Sequence, residues 1–257
     1  MKIEFYKIEC LTNLHVGSGE VNYNIVDNEV EKDAVTGLPV IHASGIKGAL
    51  RDTFKKILKY DDINKIFGDI GKNNIAFEGT HKFLDAILVA RPMRVWMSAT
   101  KASIPVVTVA SVNNFIDKMN AFSANSLGLK RIPDIDFGDF SFLTSCSENI
   151  SVENEKTGKL SADLLDTLAP LKTFLGSDFA IAKTFEGYDL PVIARNCLQG
   201  NSNLWYEEVV PHGSVLFFAV IYPNDTAAEL AFPSVVQFGG NASIGCGFTK
   251  VTNIKAI

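Results

Sequence analysis

Phe238-Gly-Gly-Asn-Ala-Ser-Ile-Gly-Cys-Gly-Phe248 places four glycines within nine residues, between apolar β-forming neighbours. Ordering a glycine carries a high entropic cost, so this density describes a tight loop whose backbone comes close to something else. That partner is either a bound molecule or the protein's own chain, and the loop alone leaves both open. Outward from it, a second glycine-bearing turn, His15-Val-Gly-Ser-Gly19, follows the first strand pattern. A third segment, Ser44-Gly-Ile-Lys-Gly-Ala-Leu-Arg51, opens a helix with a basic stripe. Together the three read as a surface for a long anionic polymer.

The elements around these segments set the fold class. Residues 2–11 alternate as a strand, with Ile3, Phe5 and Ile8 favouring burial. Residues 12–35 read as irregular apart from Val21-Asn-Tyr-Asn-Ile-Val26, and Thr36-Gly-Leu-Pro39 is a turn signal. Ser44 is positioned to cap a helix over about 45–59 whose core side carries Ile46, Ala49, Leu50, Phe54, Ile57 and Leu58. A short helix at 61–67, a strand from Ile87 to Trp96 and a helix near 108–122 follow, then loops and short strands from Asp134 and a helix around 163–175. Residues 176–203 are the least regular and read as projecting from the body. Val215-Leu-Phe-Phe-Ala-Val-Ile-Tyr222 is a continuous apolar strand, followed by a helical or turn-rich link and a last strand near 248–255. Strand, helix, strand, long excursion, strand, link and strand is the order of an α+β, ferredoxin-like (RRM-like) core with large insertions.

The chain has 257 residues, room for one large domain, and a net charge of −5, which weakens any reading as a free nucleic-acid binder. The charge is uneven. Lys47, Arg51, Lys55, Lys56 and Lys59 fall within thirteen residues that hold one acid, Asp52, whereas eight acids between Asp134 and Asp166 face only Lys156 and Lys159. A local cationic face governs docking even on an acidic protein. No stretch resembles a membrane span, and Met1-Lys-Ile-Glu-Phe5 is already a strand rather than a signal peptide. Four cysteines at 10, 146, 197 and 246 form no CxxC pair, which argues against a disulfide scaffold or a cysteine zinc site and for a cytoplasmic setting.

Neither GxGxxG nor GxxxxGK[ST] stands in a strand–loop–helix context, so nucleotide-cofactor fingerprints are absent, as is a GxSxG hydrolase elbow. The four histidines form no close metal pattern. Lys47, Arg51, Lys55 and Lys59 recur every four residues as one helix row, suited to phosphates but equally to plain solvation. Asp27 lies in an acidic loop with Glu29, Glu31 and Asp33, any of which can be an ordinary surface acid. Trp205 and Tyr206 can stack on bases, but their apolar neighbours favour packing.

Taken together, these motifs resemble the RAMP-superfamily backbone subunit of type III-B (Cmr) CRISPR complexes, the fourth Cmr subunit. The likeness runs through Leu14-His-Val-Gly-Ser-Gly19, Ile25-Val-Asp27, Thr36-Gly-Leu-Pro39 and Ala43-Ser-Gly-Ile-Lys-Gly-Ala-Leu-Arg-Asp52. It continues through Ala194-Arg-Asn196, Asn203-Leu-Trp-Tyr-Glu-Glu208 and the closing glycine loop from Gln237. The resemblance implies a single RAMP-type domain over 1–257, with a ferredoxin-like palm, a catalytic loop at about 12–35, an inserted finger at about 60–86 and a thumb at about 176–203. Such subunits stack head to tail on a guide RNA beside other Cmr subunits and cleave the complementary target RNA. Asp27 matches the family's catalytic aspartate, expected to work with a divalent metal, Mg2+ or Mn2+. His15, Ser44, Lys47 and Arg51 are expected along the guide RNA, with Gly239, Gly240, Asn241, Ser243 and Gly245 following the same strand. A noncatalytic scaffold of the same complex, or an endoribonuclease that processes the guide precursor, are the alternatives.

Overall fold

The computed structural model describes residues 2–17, 19, 25–70, 76–122, 130–197, 203–224 and 230–254. Strand β1 (Ile3–Cys10) alternates half-exposed and buried positions, with Tyr6, Ile8 and Cys10 turned into the core. Burial pushes the Cys10 thiol up to about 12, in keeping with a small core side chain rather than a reactive one. Helix α1 (Ala43–Phe54) and helix α2 (Tyr60–Phe67) follow, then the long strand β2 (Ala86–Trp96), strand β3 (Ser103–Thr108) and helix α3 (Val109–Phe122). A two-stranded hairpin, β4 (Val192–Cys197) with β5 (Asn203–Glu208), precedes the last two main strands, β6 (Val215–Ile221) and β7 (Phe248–Asn253).

The central order is β7, β1, β6, β2, with every neighbour antiparallel. Val236–Gln237 adds to the β7 edge, and β3, Ala180–Ala182, Phe142–Thr144 and Glu155–Lys159 extend the other side. α1 covers one face, packing Ile46, Leu50 and Phe54 into a cluster with Tyr6, Ile8, Leu216 and Phe218. On the opposite face α3 packs Val112, Phe115, Ile116 and Met119 with Val89, Val215 and Phe217. β6 is covered on both sides, which is why it reads as an unbroken apolar run instead of alternating. Each fully buried Leu, Ile or Phe here stabilises the fold by roughly 1.5–3 kcal/mol.

Several expectations are corrected. Ser44 does not cap α1: the helix begins at Ala43, whose N–H donates to Asp85 Oδ1 at 2.6 Å. Pairing of Ile41 with Ala86 brings that carboxylate to the helix end. α1 stops at Phe54 rather than at 59, because Phe54 is buried against Phe67 and Phe232 and the chain must turn to lay α2 alongside. Lys55 and Lys59 therefore fall off the row begun by Lys47 and Arg51. The helix expected at 163–175 is two, Ala162–Thr167 and Ala169–Leu175, with Pro170 opening the second. Within 176–203, Ala180–Ala182 is fully buried inside the main sheet, so the segment does not project as a whole, and β4 at its end pairs with β5 in a separate two-stranded sheet. Of the expected regions, residues 18 and 20–24 of the catalytic loop, 71–75 of the finger and 198–202 of the thumb lie outside the described residues.

Candidate nucleic-acid interface

The Asn203–Glu208 strand organises the site. At its C-terminal end it runs beside the loop that carries Asp27, and the two backbones interlock. The N–H groups of Asp27 and Asn28 both donate to the Tyr206 carbonyl at 3.1 Å, and the Glu208 N–H donates to the Asn28 carbonyl at 2.9 Å. Asp27 Oδ2 in turn accepts the Tyr206 N–H at 2.7 Å. One carboxylate oxygen is thus fixed by backbone, and Oδ1 makes no hydrogen bond to the protein among the described residues. Glu208 completes the frame, accepting the Val30 N–H and the Lys32 ammonium at 3.1 Å each.

Glu207 ties this frame to the glycine loop. Its buried carboxylate accepts Trp205 Nε1–H at 2.9 Å, Asn241 Nδ2–H at 3.0 Å and the Arg195 guanidinium. Burial alone would push the carboxyl up, but the Trp205 and Arg195 hydrogen bonds, with the charges of Arg195 and His15, hold it below the usual range. Asn241 stands in the left-handed region at φ 62°, a conformation that asparagine tolerates better than most. Arg195 also reaches Cys246 Sγ at 3.5 Å. The hairpin, the catalytic-loop candidate and the glycine loop are thereby one hydrogen-bonded body.

His15 lies at the junction and is 9% exposed. Its Nδ1 is 2.8 Å from the Glu208 carbonyl oxygen, which can only accept, so Nδ1 carries a proton and donates it to that bond. The His15 carbonyl accepts the Gly240 N–H at 2.9 Å, and the Asn13 carbonyl accepts the Gly247 N–H at 2.8 Å. The loop thus lies directly on the His15 turn. Gly239, Gly240, Ser243 and Gly245 remain exposed along its outer edge.

α1 borders the same region. Val236, which leads into the loop, shares a core cluster with Ile46 and Leu50. His42, just before α1, sits 3.2 Å from Glu31 and 3.8 Å from Asp85, linking the helix start to the acidic loop. Ser44 and Gly48 are exposed and Lys47 is half-buried with no bonded partner among the described residues. Arg51 differs: its fork donates to the Gly68 carbonyl at 2.9 Å, Asn64 Oδ1 at 3.2 Å and Asp69 Oδ1 at 3.3 Å. It clamps α1 to the end of α2, so of the two cations on α1 the one left without a protein partner among the described residues is Lys47.

The glycine loop, the His15 turn, Asp27 and the start of α1 lie in one region of the molecule. Glu207 and Arg195 were quoted within motifs but given no role there. The detectable signal was a strand pair carrying opposite charges at nearby register positions, Ile193 facing Glu207 and Arg195 facing Trp205. No group of three or more His, Cys, Asp or Glu suited to a metal occurs among the described residues, and no described helix is long and apolar enough to cross a membrane.

Comparison with known proteins shows what the chain as a whole is similar to. The RAMP superfamily model matches residues 7–250. The CRISPR system Cmr endoribonuclease Cmr4 of Pyrococcus furiosus is 24% identical over 287 aligned positions, covering 98% of this chain and 96% of the relative. Among solved structures, a chain of a type III-B Cmr-beta complex bound to cognate target RNA is similar at a TM-score of 0.77 and 22% identity, covering 100% of this chain and 98% of that one. Oligomeric Cmr4 from Pyrococcus furiosus is similar at a TM-score of 0.71 and 20% identity, with 98% of each chain covered.

Proposed function

The chain belongs to the RAMP superfamily, and from that premise we propose that it is a guide-RNA-binding backbone subunit of a type III-B CRISPR effector that cuts the complementary target RNA. Its cytoplasmic partners are the guide, the target, further copies of itself and other Cmr subunits. The four strands β7, β1, β6 and β2, in an order and polarity that suit a ferredoxin-like core, form the palm. The region from α2 to about residue 86 forms the finger, and the β4–β5 hairpin carries the thumb.

The observation that carries the reading is Asp27, held by the Tyr206 backbone through one oxygen while the other has no hydrogen-bond partner among the described residues. A carboxylate so fixed can orient a ribose 2′-hydroxyl for in-line attack on the adjacent phosphorus, with the 5′-oxygen leaving. Such catalysis rests on positioning more than on intrinsic basicity. His15, Lys47, Ser44 and the outer edge of the 239–245 loop hold the RNA path, and Arg51 supports it from behind. The Asp27 oxygen without a protein partner is a hard donor that would hold Mg2+ or Mn2+. Such an ion would offset charge on the phosphoryl oxygens.

Reconstitution with guide RNA and partner subunits tests this. Asp27→Ala should leave assembly and target binding intact and lower cleavage at least about 100-fold. A target with a 2′-deoxy sugar at the scissile position should also resist. Undiminished cutting by the variant would remove Asp27 from the mechanism, and normal cutting of the deoxy target would remove the nucleophile.

A further inference from the structure

β2 runs eleven residues, and its two ends carry opposite kinds of apolar surface. Near its start, Ile87 helps to enclose a cavity of about 270 Å3 with Phe5, Phe115, Phe122 and Phe217. The Phe115 and Phe217 rings stack at 4.2 Å to make one wall. Lys118 stands at the rim, with no bonded partner among the described residues.

At the other end the strand finishes in a tip where Trp96 is 45% and Met97 80% exposed. Met97 adopts φ 64°, a left-handed conformation that costs a side-chain-bearing residue about 1–2 kcal/mol. The turn behind it is firmly built. Ser98 Oγ accepts the N–H groups of Thr100 at 3.2 Å and Lys101 at 3.0 Å, and donates to Glu148 at 2.8 Å. Lys101 is paired with Asp178 at 2.8 Å. A strained turn that is locked so as to hold a methionine and a tryptophan in water has the composition of an interface anchor.

We propose that the Trp96–Met97 tip of one copy of this chain seats in the cavity beside Phe115 and Phe217 of the next copy. The tip is an apolar protrusion and the cavity an apolar recess, and methionine adapts to irregular gaps. Ile87 and Trp96 are nine residues apart on one strand, about 30 Å at 3.3 Å per residue. Surfaces so far apart cannot meet within one chain, and a tip that seats in the recess of a second copy, whose own tip is left for a third, generates a head-to-tail array. Charge agrees: of the two charged residues lining the recess, Asp85 already accepts the Ala43 N–H, and the Lys118 ammonium, which makes no hydrogen bond among the described residues, meets the Glu148 carboxylate that Ser98 and Thr100 hold beside the tip. The inference deepens the reading of the chain as a stacking subunit and rests on it.

Cross-linking separates the two. Met97→Cys combined with Lys118→Cys is treated with a short bismaleimide after assembly on guide RNA, with size-exclusion measured in parallel. Cys10, Cys146 and Cys246 are buried, and each single variant serves as the control for background thiols. The double variant should give a ladder of multimers and each single variant none. Assemblies that stack on guide RNA without a ladder would overturn the contact and leave the subunit reading standing. Failure of the unaltered chain to stack at all would remove the subunit reading itself. Dimers from Met97→Cys alone would mean a tip-to-tip contact and also overturn the proposal. Met97→Glu should weaken self-association about tenfold or more without changing the monomer's melting temperature, and unchanged association would count against it.

Discussion

A β-carbon added to Gly239 would lie 2.2 Å from the His15 carbonyl oxygen and one added to Gly247 1.9 Å from that of Phe238, whereas one added to Gly48 of α1 meets nothing within 4 Å. Gly239 and Gly247 are therefore answered by the protein's own backbone, whereas Gly245 meets nothing within 4 Å. Two strands of chain press against each other there, and no side chain fits between them. The helix glycine has no such answer among the described residues. In a helix interior glycine destabilises by roughly 0.5–1 kcal/mol relative to alanine, so its reason must come from outside the chain. Of two glycine-bearing segments that both read as RNA-facing, one builds the platform and the other leaves room for what lies on it.

The largest test of this difference is Gly247→Ala. Its φ of 80° and the clash with the Phe238 carbonyl leave the loop no relaxed conformation. A loss on the order of 4 kcal/mol is expected, read as a fall in the denaturation midpoint. Wild-type stability would mean that the loop is held less tightly than its hydrogen bonds to Asn13 and His15 imply.

Next in size is Glu207→Gln, which breaks the charge pairing with Arg195 and should cost about 2–3 kcal/mol. The effect has a defined pH signature. Glu207's carboxyl is lower in the folded protein than its ordinary 4.5. Its stabilisation is therefore complete above about 4.5 and disappears as the pH drops through the folded value. Urea midpoints of wild type and variant should differ fully at pH 6 and converge in stronger acid. A gap that stayed constant with pH would mean that the ionised carboxylate is not what the Arg195 and Trp205 contacts stabilise.

How much of this was legible beforehand follows from the kind of interaction involved. The central strands and α1 were readable because their patterns are local: β1 alternates, β6 is an apolar run, and Ile46, Leu50 and Phe54 recur at helical spacing. The end of α1 was not, since it is set by Phe54 meeting Phe67 and Phe232, the latter more than a hundred residues away. Asp85 as the helix cap, and Asp27 clamped by Tyr206, are likewise contacts between distant segments that no spacing rule encodes. The basic row illustrates the converse hazard. Its four-residue period was real in the sequence, but the turn after Phe54 ended it and Arg51 turned inward to Asn64 and Asp69.

That inward turn separates Lys47 from Arg51 experimentally. Lys47→Ala should weaken binding to many RNA sequences and reduce the slope of log affinity against log salt by about one, without lowering stability. Arg51→Ala should instead lower the melting temperature, since it removes the guanidinium donor from the Gly68 carbonyl and the Arg51 ion pair from Asp69, a loss of about 1–3 kcal/mol. Its salt slope should change less than that of Lys47→Ala. Equal slope changes would place the Arg51 guanidinium on a phosphate in the RNA-bound form and reverse the assignment.

Gly48→Ala is the smallest perturbation and the one that decides why the two glycine sets differ. Nothing in the chain opposes the added methyl group, so helix propensity alone should raise stability by about 0.5–1 kcal/mol. If the exposed α1 surface next to Lys47 lies against a ribose–phosphate backbone, the same methyl holds that backbone off, and guide affinity should fall about three- to tenfold. The two effects have opposite signs, so loss of affinity cannot be ascribed to a damaged fold. Ala at this position with unaltered affinity would mean that the RNA path runs along the loop edge and bypasses the helix. Gly48 would then be left with no role beyond its own conformational cost.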